Sequence, residues 1–326
     1  MSVFVTGATG YLGNRLAKKL ISAGEHVHLY VPNPEVLGEF QFPNARIFKG
    51  DLLDSDAVLT AMAGCEKVYH VAGLARLWTK DPNDFYRINL EGTKVVLQAA
   101  KTRNIKKFVH TSTAGVSGPS LNMPNTEDTP RWASFNNNYE ISKYLAEEEV
   151  LKAFREGLPS VIVRPTRVFG PGIASPSAGI NRLISGYMKK RIVFMPYDPK
   201  KVCNYGFIDD IVDGHIQAMR VGKPGEKYFL GGENVSYESL FDLMRKNVNQ
   251  IGLVLRAPKT AINTLSWIEF LLARSFEREP SITPDFVVRL GQNAACDCGK
   301  AVGEIGYKIT PFEEALKTTI ISLKDH

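Results

Sequence analysis

The sequence predicts an α/β fold, a doubly wound parallel sheet followed by a smaller, mainly helical C-terminal lobe. Three observations predict it. Strand and helix patterns alternate from residue 2 to about 172, as in a parallel sheet with helices on both faces. The first strand runs directly into a glycine-rich turn, TGATGYLG at 6–13, that opens a helix. Beyond it, 173–202 and 231–326 lose the alternation, while 203–230 returns to it through YGFIDDIVDGHIQAM and KYFLGGE.

Residues 2–6, SVFVT, are apolar and β-branched, a buried strand rather than a targeting segment. Leu12, Leu16, Leu20 and Ile21 then recur at helical spacing, with Asn14, Arg15, Lys18 and Lys19 on the opposite face and a stop near Gly24. Gly7 allows a tight turn, Gly10 lets backbone approach a pyrophosphate, and Gly13 lets helix and sheet pack closely. The free N–H groups and positive dipole end of that helix favour an anion without a charged side chain. Strand, glycine turn and helix in this order make a Rossmann-type dinucleotide site; the competing reading is a purely structural turn.

The second strand, EHVHLYV, ends at Pro32, Asn33 and Pro34. An Asp there would bind the adenosine ribose 2′-OH and an Arg a 2′-phosphate. With no acid to repel the extra phosphate, and with Arg15 and Lys18 in the first helix, NADP(H) is favoured over NAD(H). Further strands are ARIFK before Gly50, Asp51 and Leu52, KVY before HVAG at 70–73, and KKFVH ending at TST, 111–113. The segment 117–138 is too long for an ordinary connection and reads as a wall of the substrate pocket.

A helix follows with Tyr139 and Lys143 one turn apart, which projects phenol and ammonium from one face. Tyrosine titrates near pH 10, so acid/base work at neutral pH needs a nearby cation. At about 6 Å and an effective dielectric of about 20, the ammonium is worth roughly 3 kcal/mol, or about two pK units. A hydroxyl from TST is placed to polarise the substrate oxygen. Ordinary capping of a loop is the competing reading of that string.

These strings together resemble the extended short-chain dehydrogenase/reductase superfamily, the NAD-dependent epimerase/dehydratase group, over most of residues 2–172 and more faintly 203–235. The glycine spacing with Thr6, Asp51 after its strand, HVAG, Asn89 in INLEGT, the Tyr139/Lys143 pair and RPTRVFGPG at 164–172 carry the resemblance. It implies Thr113, Tyr139 and Lys143 as catalytic residues, with Ser112 as the alternative hydroxyl if the register slips by one. It implies cofactor contacts at Gly7, Thr9, Gly10, Tyr11, Leu12, Gly13, Asp51, Leu52, Val71, Ala72, Gly73, Asn89, Thr111, Ser112, Tyr139, Lys143, Pro165 and Val168. Asp51 would accept from the adenine amino group, and Asn89 would hold a helix bend and an ordered water. The dinucleotide-binding domain would comprise 1–172 plus 203–230, and the substrate-binding lobe 173–202 plus 231–326.

The acidic pair that sugar dehydratases carry after their catalytic Thr is replaced by Ala114 and Gly115. Cys203 stands where many nucleotide-sugar enzymes place an Arg on the substrate diphosphate, and nearby Lys200 and Lys201 offer point charges rather than a fork. HVAGLARLWTKDPNDFYRINLEGT resembles the dihydroflavonol-reductase-like bacterial group, which includes hopanoid-associated epimerase-like proteins. The expected activity is NAD(P)(H)-dependent interconversion of a ketone and an alcohol on a small, fairly apolar molecule, as in dihydroflavonol reductases and hydroxysteroid dehydrogenases. The alternatives are a nucleotide-sugar epimerase and a non-catalytic nucleotide-binding sensor. Leu77, Trp78 and Phe85 are candidates for an apolar pocket lining or for plain core.

The chain of 326 residues is 44% hydrophobic, enough for a sizeable core. Its 40 basic and 34 acidic residues give +6 without a basic block, which argues against nucleic-acid binding. Cys65, Cys203, Cys296 and Cys298, with no signal peptide, predict reduced thiols in the cytoplasm and no metal. The apolar stretch 262–276 is interrupted by Glu269 and Arg274, so it predicts no membrane span but an amphipathic helix facing the core of the second lobe, with a membrane-surface helix as the competing reading. The family resemblance allows a homodimer.

Overall fold

The computed structural model describes residues 2–37, 43–76, 78–173, 175, 177–189, 192–248 and 253–324. In chain order the first half runs β1 (Ser2–Thr6), α1 (Tyr11–Ser22), β2 (His26–Val31), β3 (Ala45–Lys49), α2 (Ser55–Ala61), β4 (Cys65–His70), α3 (Asn83–Tyr86), α4 (Gly92–Thr102), β5 (Lys107–Thr111), α5 (Asn138–Arg155), β6 (Ser160–Pro165) and β7 (Arg167–Phe169). It continues with α6 (Gly179–Lys189), β8 (Ile192–Met195), β9 (Val202–Phe207), α7 (Ile208–Val221), β10 (Lys227–Leu230), β11 (Glu233–Ser236), α8 (Tyr237–Asn247), β12 (Leu253–Arg256), α9 (Lys259–Phe276), α10 (Pro284–Leu290), α11 (Gly299–Ile305) and α12 (Phe312–Lys324).

Seven parallel strands form the main sheet in the order β10-β6-β5-β4-β1-β2-β3. The strand order reverses between β1 and β4, which places the crevice of a doubly wound sheet above the carboxyl ends of those strands. Alternation along β1 feeds both faces: Val3 and Val5 pack with Leu16 and Leu20 of α1 and Ile211 of α7, while Phe4 packs with Val58, Val96 and Val150 of α2, α4 and α5. The expected fold class is the one observed.

A second sheet, β11-β9-β7, and the two-stranded β12-β8 pair lie outside the main sheet. Phe169, Ile184, Tyr187, Tyr205, Phe241 and Phe312 build a third core around them. The segment 117–137 is tied to this part of the molecule by backbone bonds: Ser120 N–H to Asn293 O (2.9 Å), Asn125 N–H to Ala295 O (2.9 Å) and Asp297 N–H to Asn125 O (2.8 Å). Its Glu127 Oε1 also accepts the Phe229 N–H of β10 at 2.6 Å. A stretch with no strand of its own thereby becomes a fixed wall, because its buried backbone groups are paired.

The helix predicted over 262–276 is present as α9, but it does not turn its large apolar residues inward. Ser266 and Ala273, two turns apart, are its buried residues, while Leu265, Trp267, Ile268, Leu271 and Phe276 are exposed. Small side chains allow the closest approach to the neighbouring backbone, so they and not the bulky face sit against the protein. No helix among the described residues is long and apolar enough to cross a membrane.

Candidate active site

The glycine turn has the geometry that its spacing predicts. Gly7 adopts φ +79°, and a Cβ on it would lie 2.6 Å from Ala72 N, while a Cβ on Gly13 would lie 2.1 Å from Gly7 O. Gly10, the N-cap of α1, makes no side-chain cap, and a Cβ there would meet only Gly7 O at 3.3 Å. Two glycines are thus consumed by packing, and the third leaves open space in front of the helix N-terminus, where a pyrophosphate fits.

Beneath this turn a buried chain of hydrogen bonds links β1, β4 and α4. Ala72 N–H donates to Thr6 Oγ1 (3.1 Å), which bonds His70 Nδ1 (2.8 Å); His70 Nε2 bonds Thr93 Oγ1 (3.0 Å), which donates to Asn89 O (2.6 Å). The directions of the end bonds place the ring proton on Nε2. Burial, with Lys143 adding to it, pushes His70 down to about 3, so the ring is neutral. Asn89 lies in a π-helical turn, Arg87–Glu91, the bend that the resemblance implies. Its Oδ1 accepts Leu74 N–H (2.7 Å) and its Nδ2 donates to Ser142 Oγ (2.9 Å).

Asn137 caps α5 by accepting the Glu140 N–H, and this sets the register of Tyr139 and Lys143. Lys143 is buried; its Nζ donates to Thr111 O at 2.7 Å and lies 3.5 Å from His110 Nε2. Burial pushes it down to about 8, with Glu147 opposing. A Cβ on Gly73 would meet Asn89 Oδ1 at 3.2 Å and Lys143 Nζ at 3.8 Å, so these three residues share one floor.

Tyr139 is partly exposed, and the ring of Phe85 meets it edge-on at 6.4 Å. Burial raises the phenol above its ordinary value; the neighbouring Thr113 hydroxyl and the Arg289 charge pull it back. The predicted acidification by Lys143 is therefore not what the protein alone shows. The ammonium is drawn onto Thr111 O and its field falls on His70 and His110, whereas Arg289 is the cation acting on the phenol.

Thr113 opens onto a narrow cleft of about 80 Å³. Its lining includes Gly118, Pro119 and Asn136 of the 117–138 segment, Arg289 of α10 with Gln292 and Asn293 after it, and Arg167 and Asn204. Neither Trp78 nor Phe85 is among the residues lining it; Phe85 is buried against Tyr139, Trp78 is half-buried, and Leu77 lies outside the described residues.

The other predicted positions follow the carboxyl ends of the main-sheet strands. Tyr11 is buried and donates its hydroxyl to Gly170 O (2.6 Å), holding the 164–172 segment against the glycine turn. Thr9 is half-buried; Leu12 and Val168 pack on the core, which leaves their backbone for any cofactor contact. Asp51 is exposed after β3 and accepts Leu53 N–H (2.9 Å), with Leu52 buried beside it. Val71 and Ala72 follow β4. Thr111 donates to His215 Nε2 (3.0 Å), and Ser112 Oγ is buried without a partner among the described residues. Pro165 ends β6 and lines the cleft. An orphaned hydroxyl, an open helix N-terminus and a glycine floor suit a dinucleotide.

Sequence reasoning missed Arg289, which lies in a segment with no motif, and passed over Arg167 although RPTRVFGPG contains it. It also used Arg15 as a phosphate ligand. Arg15 instead makes a bidentate pair with Asp209, at 2.6 and 2.9 Å, so it is occupied.

Residues 3–231 match the model of the NAD dependent epimerase/dehydratase family. The chain is 30% identical to a putative dihydroflavonol 4-reductase of Synechocystis sp., over 99% of this chain and 94% of that one. It is 26% identical to a decarboxylating sterol-4-alpha-carboxylate 3-dehydrogenase of Mus musculus, over 98% and 90% of the two chains. With a 2-alkyl-3-oxoalkanoate reductase of Stenotrophomonas maltophilia it shares 29% identity over 79% and 77%.

Proposed function

Because the chain belongs to the NAD-dependent epimerase/dehydratase family, we propose that it interconverts a ketone and an alcohol through Tyr139, Thr113 and Lys143. Its relatives' names make it an NAD(P)-dependent oxidoreductase of the extended short-chain dehydrogenase/reductase type. The observation that carries the residue assignment is the Thr113 hydroxyl, which lines the cleft and neighbours the Tyr139 phenol.

A bound nicotinamide supplies or takes the hydride. Thr113 donates a hydrogen bond to the substrate oxygen and fixes it. In the reducing direction Tyr139 gives its proton to that oxygen, completing the alcohol; in the oxidising direction it takes the proton back. Lys143, on the floor with Gly73 and Asn89, holds ribose hydroxyls and adds positive charge to the site. The Gly10 turn and the α1 N-terminus hold the pyrophosphate, and Asp51 the adenine.

NADP(H) remains the preferred cofactor in this reading because no acid occupies Pro32, Asn33 or Pro34, although Arg15 no longer argues for it. The buried Cys203, bonded to Tyr237 OH, supplies no fork for a sugar nucleotide diphosphate, which favours the ketone/alcohol reading over an epimerase. Two relatives' names put a carboxylate on the carbon next to the one oxidised or reduced, and we carry that pairing to this chain. Oxidation of NADPH in the presence of a ketone panel tests the reading; binding of cofactor with no turnover of any ketone or alcohol would remove it.

A further inference from the structure

We propose that Arg289 and Arg167 form the carboxylate-binding wall of the cleft, so that the substrate is an oxo acid or hydroxy acid whose acid group lies beside the reacting carbon. This rests on the oxidoreductase reading and assigns residues to it. Both arginines line the same cleft as Thr113.

Arg289 stands at the end of α10 with its side chain 30% exposed, within reach of a ligand. Its only ion pair among the described residues is long, 3.7 Å to Glu140 Oε1. The other Glu140 oxygen already accepts from Arg131 Nη2 (3.0 Å) and Asn136 N–H (3.1 Å). One carboxylate is thus shared between two guanidinium groups.

Arg167 has no carboxylate partner among the described residues. Its Nη1 donates to Tyr237 OH (3.0 Å), and its guanidinium lies 5.6 and 5.9 Å from the Tyr237 and Tyr205 rings. A half-buried cation without a counter-ion is unfavourable unless an anion completes it. The charged residues lining the cleft are Arg167 and Arg289 against the single carboxylate of Glu140, which Arg131 also engages. The surplus is positive.

A guanidinium presents a planar fork that matches a carboxylate with two parallel bonds. The diphosphate of a sugar nucleotide offers the same chemistry, but in such a substrate a sugar ring separates the anion from the reacting carbon. Arg289 lines the same cleft as Thr113, the residue assigned to hold the reacting oxygen, which brings its anion to the reacting end of the substrate. Ala114, Pro119 and Ala294 leave apolar surface for the rest of the molecule.

The test is steady-state oxidation of a 2-alkyl-3-hydroxy acid and of its methyl ester by wild type, Arg289→Gln, Arg167→Gln and Arg289→Lys, with UDP-glucose as a third substrate. Charge-assisted bonds predict that wild type favours the acid over the ester by roughly 10- to 100-fold in kcat/KM. Each Gln variant should bring that ratio toward unity by raising KM for the acid, and the Lys variant should recover part of it. If Arg289→Gln melts early, Arg289→Lys and Arg167→Gln carry the test.

A wild-type ratio near unity, or a ratio unmoved in the variants, overturns the carboxylate wall and leaves the oxidoreductase reading standing. Turnover of UDP-glucose but of neither hydroxy compound overturns it and assigns the arginines to a diphosphate. Cofactor binding by fluorescence quenching with no turnover of acid, ester or any ketone defeats the oxidoreductase reading itself, and this inference with it.

Discussion

Arg164 grips Glu147 with two parallel hydrogen bonds, Nε to Oε1 at 2.9 Å and Nη2 to Oε2 at 2.7 Å, and both side chains are buried. Glu147 lies one helical turn beyond Lys143, so the pair fixes the working face of α5 against β6 and the 164–172 segment. Arg164 Nη1 also reaches Glu127 O (3.2 Å), joining the wall of the cleft to the same anchor.

Breaking that pair should therefore disturb both stability and the site. Glu147→Gln or Arg164→Met leaves a buried charge or fork unmatched, and the expected loss is about 3–5 kcal/mol in urea unfolding. A loss under about 1 kcal/mol would mean that the pair is merely tolerated. Because the reacting residues ride on α5, turnover should fall together with stability.

The two outer glycines and the central one of the turn should behave differently. Gly13→Ala puts a Cβ 2.1 Å from Gly7 O and must shift backbone, so both unfolding stability and cofactor affinity fall. Gly10→Ala meets only one atom, at 3.3 Å, so melting temperature should change little while affinity for the dinucleotide drops about tenfold or more. Calorimetric titration beside thermal melts separates the two; equal effects on both properties would contradict the division of roles.

Lys143 gives a pH dependence whose sign can be worked out. Its folded pKa, about 8, lies below the ordinary 10.5, so the unfolded chain binds the proton more tightly. The burial penalty is fully present below pH 8 and is relieved as pH rises toward the unfolded value. Lys143→Met should thus be at least as stable as wild type at pH 7 yet lose most turnover. The ammonium needed for cofactor binding is lost above about pH 8, so kcat/KM should decline there, and Lys143→Arg should shift that decline to higher pH.

Asn89 bridges Leu74 and Ser142 from a π-helical turn. Asn89→Leu strands the Leu74 N–H, while the Ser142 hydroxyl keeps its bond to Tyr139 O at 2.9 Å, and the expected cost is about 1–3 kcal/mol. Hydrogen exchange at Leu74 is the direct readout. Unchanged protection there would show that another group takes over the bond.

What the sequence made legible was what local spacing encodes. The period of apolar residues gave the alternating elements, glycine spacing gave the turn, and the four-residue step put Tyr139 and Lys143 on one face. Segment 117–138 stood out because it is too long for an ordinary connection and lies between the TST strand and the Tyr139 helix. Long-range pairing was not readable. Arg15 meets Asp209 across 194 residues, and Arg289 reaches the cleft from a helix with no motif. Hydropathy located α9 but not its covered side, since close packing selected Ser266 and Ala273 over the bulky residues. Nor could spacing show that Lys143 would bond Thr111 O and leave Arg289 as the cation on the phenol.

The central claim is that the Tyr139 hydroxyl moves the proton. Tyr139→Phe removes one oxygen and keeps the ring that packs on Phe85. The account predicts that kcat falls by about 10²–10⁴-fold while the dissociation constant for NADPH stays within about twofold. Full turnover by that variant, with cofactor bound as in wild type, would contradict it.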